Sequence, residues 1–137
     1  MKQFDPKLFL STDTMDYVKD FADKFGIYTS NNPYIPDFAT AQLRLDLLQE
    51  ELDEVKAAIY SRDLVNLLKE LTDLQYVLDG AYLAFGLDRY KILAMREVHK
   101  SNLTKLGPGG KVIKDDRGKI QKPKGYRKPD LSQLFSV

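Results

Sequence analysis

Cysteine and tryptophan are absent from the 137 residues, and histidine occurs once, as His99. The missing cysteines exclude disulfides, thiolate zinc sites and a cysteine nucleophile together. With a single histidine no catalytic triad can be assembled with certainty, so His99 is expected in a structural or supporting place. No apolar run approaches the roughly 18 residues of a membrane span. The basic–apolar–small pattern of a secretory signal is also missing. Gly107-Pro108-Gly109-Gly110 is no phosphate loop, since it has neither a GK[ST] nor a preceding strand. The expectation is a cytoplasmic protein of a single domain spanning 1–137.

Net charge is small, at +1, but the charges of the two signs are unevenly placed. Residues 100–128 hold ten Lys or Arg against Asp115 and Asp116, so that segment carries +8 and the remainder −7. An acidic body with a basic tail suits a nucleic-acid binder. It equally suits a metal site whose substrate is a polyphosphate.

The periodicity predicts an all-α fold: an antiparallel helical bundle of about four to five helices, with a helical core over about 12–106 and an irregular basic tail over 107–137. Residues 1–11 read as an irregular lead-in. Thr12 or Asp13 caps a first helix to about Phe25, with Tyr17, Val18, Phe21 and Phe25 on its apolar side and Gly26 as its stop. Asp37 or Thr40 opens a second helix to about Tyr60, whose stripe is Leu45, Leu48, Leu52, Val55 and Ile59. Asp63 caps a third to about Phe85, with Leu64, Leu67, Leu68, Leu71, Leu74, Leu78 and Tyr82 expected inward. Asp88 starts a fourth, to Leu103 or Leu106, and Gly107–Gly110 ends it. The short link at 61–63 makes helices two and three antiparallel neighbours.

Two acidic pairs, Glu51/Glu54 and Glu70/Asp73, are mirror images about Arg62. In a hairpin Glu51 therefore comes level with Asp73, and Glu54 with Glu70. Each acid precedes a stripe residue by one position, about 100° of helix rotation, and so sits on the border of the apolar face. Their partners four residues on are Val55, Ala58, Leu74 and Val77, not cations. Asp46, Glu50 and Glu54 form a like-charge ladder, and only Lys69 can reach Asp73 while Lys56 can reach Asp53. Sheltered carboxylates without counter-charge cost several kcal/mol each, and a divalent cation relieves that cost. Oxygen-only ligands favour Mg²⁺ or Mn²⁺.

The spelling carries a resemblance. Residues 50–54 read EELDE and 70–73 read ELTD, similar to the EExxE…ExxD signature of the all-α nucleoside triphosphate pyrophosphatases. EVHKSNLTK (97–105) and DDRGKIQKPKGYRKPDL (115–131) resemble the MazG-like branch of that superfamily, and Arg44 and the Gly80–Gly86 stretch add to the likeness. The resemblance implies hydrolysis between the α and β phosphates of a (deoxy)nucleoside triphosphate, in a nucleotide-pool house-cleaning role. It assigns Glu51, Glu54, Glu70 and Asp73 to Mg²⁺ and Glu50 to the attacking water. Asn102 and Lys105 fall to the phosphates, helped by tail cations such as Lys122 and Arg127. It also implies a homodimer or homotetramer.

Tyr76 is open to two readings, stacking on a base or packing in the core. Asp79, which interrupts an apolar run, either bonds the substrate or bonds a neighbouring helix. The alternative function is a nucleic-acid-binding helical module using the basic 100–128 segment. It ranks lower because only Tyr126 is available there for stacking. An interaction protein that keeps this fold without catalysis is disfavoured by the intact acids. Phosphoribosyl-ATP as substrate ranks below a nucleoside triphosphate because of the EVHKSNLTK segment and the tail.

Overall fold

The computed structural model describes residues 11–135, and all but Ser11 of the lead-in expected over 1–11 lies outside them. Four α-helices follow in order: α1 (Thr14–Phe25), α2 (Phe38–Ser61), α3 (Leu64–Ala84) and α4 (Lys91–Leu103). No strand occurs among the described residues, and the fold is all-α. Nor is any helix among them long and apolar enough to cross a membrane.

The helix starts are set by short acidic side chains. Asp13 accepts from the Met15 amide, Asp37 from Thr40 and Asp63 from Asn66. Each cap satisfies a backbone donor that the helix itself cannot, worth about 1 kcal/mol. Gly26 closes α1 in the left-handed region. Arg62 takes that conformation at the end of α2 (φ 56°), sending its amide to Ala58 and Ile59 and turning the chain directly into the Asp63 cap. Asp88 opens a 3₁₀ turn, Asp88–Tyr90, that leads into α4.

Packing divides the chain into two units, Met1–Asp88 and Arg89–Val137. In the first, α3 packs against both α2 and α1. Met15, Val18 and Leu83 form its buried cluster, with Tyr76 and Tyr82 against it. The segment between α1 and α2 is tied to the end of α3 by Ser30 N–H to Leu83 O and Tyr34 N–H to Phe85 O. Gly86 is required there. A Cβ at that position would stand 2.1 Å from the Asn32 carbonyl oxygen, at a φ of +67°.

The leucine stripe of α3 is a correction to the sequence expectation. Leu67, Leu74 and Tyr82 are half-buried, but Leu64, Leu68, Leu71 and Leu78 are exposed. On α2 Val55 is buried, whereas Leu45, Leu52 and Ile59 are exposed. The residues of α3 that are buried are Glu70, Asp79, Gly80, Ala81, Leu83 and Ala84. Small residues and acids occupy the helix seam, which leaves the bulky leucines outside it.

The second unit joins α4 to the basic segment. Ser101, buried in α4, donates to the Arg127 carbonyl at 2.6 Å, and the Arg127 amide donates to Thr104 Oγ1 at 2.9 Å. Lys114 and Ile120 form an isolated antiparallel bridge around a turn that Asp115 holds by accepting from the Arg117 and Lys119 amides. The tail is thus irregular, with one hairpin-like bend.

Candidate metal centre

The hairpin places the mirror pairs in register. Oxygen atoms offered by Glu51, Glu54, Glu70 and Asp73 all lie within 4.8 Å of one another. Shelter is uneven, however. Glu70 is buried, Glu51 and Asp73 are half-buried and Glu54 is exposed. The stripe pattern predicts one depth for all four, on its border. Because the seam contains the acids themselves, Glu70 goes deeper.

Lys69 is the local counter-charge, 2.9 Å from Asp73 and 3.4 Å from Glu70. Those two acids hold its ammonium well above the usual lysine range, chiefly through hydrogen bonds. One cation does not neutralise four carboxylates. Burial first, then the charges of Asp73, Glu70 and Glu50, raise the Glu51 carboxyl above its usual value. Glu54 is raised chiefly by a side-chain hydrogen bond with Glu70, then by the charges of Glu70 and Glu51. The leading partners, Asp73 for Glu51 and Glu70 for Glu54, are the mirror mates. Lys56 lies over the Tyr60 ring, 5.7 Å from its centre.

Two oxygens test whether a cation fits. Glu51 Oε2 and Glu70 Oε2 are buried without a hydrogen-bond partner. A buried acceptor left unmade costs about 1–3 kcal/mol, more when charged, and a cation ligated by both would remove that cost. The donor set is all oxygen, suited to a hard divalent ion with ligand distances of about 2.0–2.6 Å. The cluster could bind a metal on these grounds. Glu50, the remaining acid of EELDE, is exposed beside it on α2.

The other sequence candidates are distributed as follows. Tyr76 is half-buried, with its ring edge-on to Phe21 at 5.7 Å between centres. Asp79 is fully buried and accepts from Thr14 Oγ1 at 2.5 Å and from Gln75 Nε2 at 3.1 Å, so it bonds α3 to α1. In the second unit Asn102 is exposed in the last turn of α4, and its carbonyl accepts from the half-buried Lys105 amide. Lys122 stands over the Tyr126 ring, 5.0 Å from its centre, and Tyr126 receives the Ser101 hydroxyl at 3.4 Å. Together with the Arg127 backbone bonds, these contacts gather Asn102, Lys105, Lys122 and Arg127 around the C-terminal end of α4. His99 is exposed on α4.

Sequence reasoning passed over two features. Ser101 and Thr104 tie the tail to α4, through pairings some 25 residues apart that no local pattern announces. Arg44 enters the sequence reading only through the family resemblance. It is buried at 8% exposure, its Nε has no hydrogen-bond partner, and burial pulls its guanidinium below the usual value. An arginine seven residues before a metal-ligand candidate, on the same helix face, is the signal that could have marked it.

Comparison with curated proteins yields no match. A family model described as phosphoribosyl-ATP pyrophosphohydrolase matches residues 18–102, which include all four converging acids and Asn102. That family lies within the MazG-like all-α nucleoside triphosphate pyrophosphatases, as the acidic signature implies. With more than half of its length matched and the signature acids brought together, the chain belongs to the phosphoribosyl-ATP pyrophosphohydrolase family, a family of hydrolases acting on nucleotide-like substrates.

Proposed function

We propose that the protein is a Mg²⁺-dependent pyrophosphohydrolase of nucleoside or deoxynucleoside triphosphates, releasing the monophosphate and pyrophosphate. One observation carries the reading. Four carboxylates converge within 4.8 Å, two of their oxygens buried and unpartnered, in a chain of pyrophosphohydrolase ancestry. Glu51, Glu54, Glu70 and Asp73 hold Mg²⁺, with Mn²⁺ as a substitute. When bound, the ion neutralises phosphate charge and eases ionisation of the attacking water.

The chain's own groups do the positioning, which is most of phosphoryl-transfer catalysis. Glu50, exposed next to Glu51, orients the water and accepts its proton. The water oxygen forms a bond to the α-phosphorus as the bond to the α–β bridging oxygen breaks, and pyrophosphate leaves with that oxygen. Asn102, Lys105, Lys122 and Arg127 are assigned to the phosphates on the sequence resemblance, and their gathering around the end of α4 supports treating them as one group of three cations and a neutral amide. Tyr76 is assigned to the nucleoside, and Asp79 to fixing the helix on which Tyr76 stands.

The long exposed apolar faces of α2 and α3 support assembly into a homodimer or homotetramer. The cytoplasm and a house-cleaning role are the proposed setting. A second reading, phosphoribosyl-ATP as the substrate, is favoured by the description of the matched family. Against both stands the nucleic-acid module, for which the basic 100–128 segment is the only support. Incubation with Mg²⁺ and a panel of NTPs, dNTPs and phosphoribosyl-ATP, assayed for pyrophosphate, separates the three. Glu54→Gln is expected to abolish turnover, and failure to cleave any member of the panel would overturn the proposal.

A further inference from the structure

The mirror register does not end at the acids. Along α2 and α3, away from the turn, the next equivalent pairs are Leu47 with Val77 and Arg44 with Gly80. The contact bears this out at its far end. A Cβ placed on Gly80 would lie 3.0 Å from Arg44 Nη1. Arg44 is seven residues from Glu51 on α2, and Gly80 is seven from Asp73 on α3. Seven residues are close to two full turns, so each returns to nearly the same face about 10 Å further along its helix.

At that end lies a cavity of about 310 Å³ lined by Phe21, Tyr28, Leu47, Tyr76, Val77 and Gly80 among others, with Arg44 in its wall. Its size is at the small end for ligand pockets. The arginine is the feature without a structural explanation. It is 8% exposed, its Nε is buried and unpartnered, and among the described residues no acid pairs with it. Leaving a buried guanidinium unmatched is costly. The absence of a side chain at Gly80 keeps space for this group at the seam, where an alanine would press on it.

We propose that Arg44 reads the nucleobase, and that the enzyme selects bases presenting a ring carbonyl (guanine, hypoxanthine, uracil, thymine) over bases presenting an exocyclic amine there (adenine, cytosine). The inference rests on the nucleotide reading of the acidic site. A nucleotide whose phosphates are held at the acids extends its base along the seam by about the two turns that separate Glu51 from Arg44. The base then enters an aromatic and aliphatic cavity whose charged wall offers only donors. A guanidinium has five N–H groups and no acceptor, so it matches a carbonyl oxygen, and in guanine the adjacent O6 and N7. An amine at that edge would meet a donor with a donor, a mismatch that selects against the wrong ligand.

The test compares kcat/KM for dGTP, dITP, dUTP and dTTP with dATP and dCTP, in the wild type and in Arg44→Gln and Gly80→Ala. The wild type is expected to favour the carbonyl bases by about tenfold or more, the discrimination one good arginine–base contact supplies. Arg44→Gln, which offers both a donor and an acceptor, is expected to remove most of that ratio. Gly80→Ala keeps the arginine but shifts it, and is expected to narrow the ratio while the protein stays folded. If Arg44→Gln does not fold, Gly80→Ala carries the test alone.

A readout without turnover accompanies it: binding of guanosine, uridine, adenosine and cytidine, without phosphates, by titration calorimetry. Turnover with no base preference, or with a preference both variants leave unchanged, overturns the proposal and leaves the pyrophosphohydrolase reading standing. No turnover, but carbonyl-base nucleosides bound in an Arg44-dependent way, does the reverse. Preferred cleavage of phosphoribosyl-ATP, an adenine nucleotide, also overturns it.

Discussion

Glu54 and Glu70 stand at equal sequence distance from Arg62 and offer oxygen atoms within 4.8 Å of each other across the α2–α3 seam. A hairpin that brings like charges this close is working against itself unless something else enters. The cost and its relief by a cation give variants whose effects change sign with the metal.

Glu51→Gln is the clearest of these. It removes a carboxylate whose Oε2 is buried and unpartnered. Without divalent ions the variant is expected to be more stable than the wild type, by about 1 kcal/mol, a rise of several degrees in Tm for a domain of this size. In excess Mg²⁺ the order reverses, because the wild type gains binding energy that the variant has lost. Thermal melts with EDTA and with Mg²⁺ check both halves.

Acidity acts in the same direction as that substitution. Glu51 and Glu54 have raised carboxyl pKa values in the folded chain, for the burial and charge reasons given above. The groups facing them are Glu50, Glu70 and Asp73, opposed by Lys69. The folded state therefore holds protons more tightly than the unfolded one, and stability rises as pH falls through the raised values. The gain is complete near the ordinary glutamate value of 4.5 and is lost again as pH rises. Metal-free melts between pH 8 and 5 are expected to show Tm increasing toward acid, and saturating Mg²⁺ is expected to remove the gain.

Lys69 competes with any cation for Asp73 and Glu70, at 2.9 and 3.4 Å. Lys69→Met is expected to tighten Mn²⁺ binding while lowering the metal-free Tm. The lysine is largely exposed, so the effect on Kd stays within about fivefold. Calorimetric titration of the two proteins measures it.

Far from the acids, Thr14→Val removes one of the bonds that satisfy the fully buried Asp79. The expected loss is about 2 kcal/mol in denaturant unfolding. Mn²⁺ affinity is expected to be unchanged, since Asp79 belongs to the α1–α3 contact and not to the cluster.

Much of this frame is legible in the sequence because it is local. Asp13, Asp37 and Asp63 announce helix starts through bonds two or three residues long, and a tight turn at Arg62 fixes the register of everything on either side. The four-acid convergence follows from that register alone. Depth is not local. Periodicity marked Leu64, Leu68, Leu71 and Leu78 as inward, yet helix packing turned Glu70, Gly80 and Ala84 to the seam instead. Arg44 was likewise invisible as a buried group, since a charged residue on an amphipathic helix is ordinarily solvated. The return of the tail to Ser101 and Thr104 is set by contacts across many residues, and nothing in either segment specifies the other.

The central claim is that the Glu51, Glu54, Glu70 and Asp73 cluster is a divalent-cation site. Titration of Mn²⁺ followed by the electron paramagnetic resonance of the free ion tests it most directly, in the wild type and in Glu70→Gln. Saturable uptake by the wild type, weakened more than about tenfold in the variant, is the expected result for loss of a charged ligand. A wild type that takes up no Mn²⁺, or a variant that binds it equally well, would contradict the account.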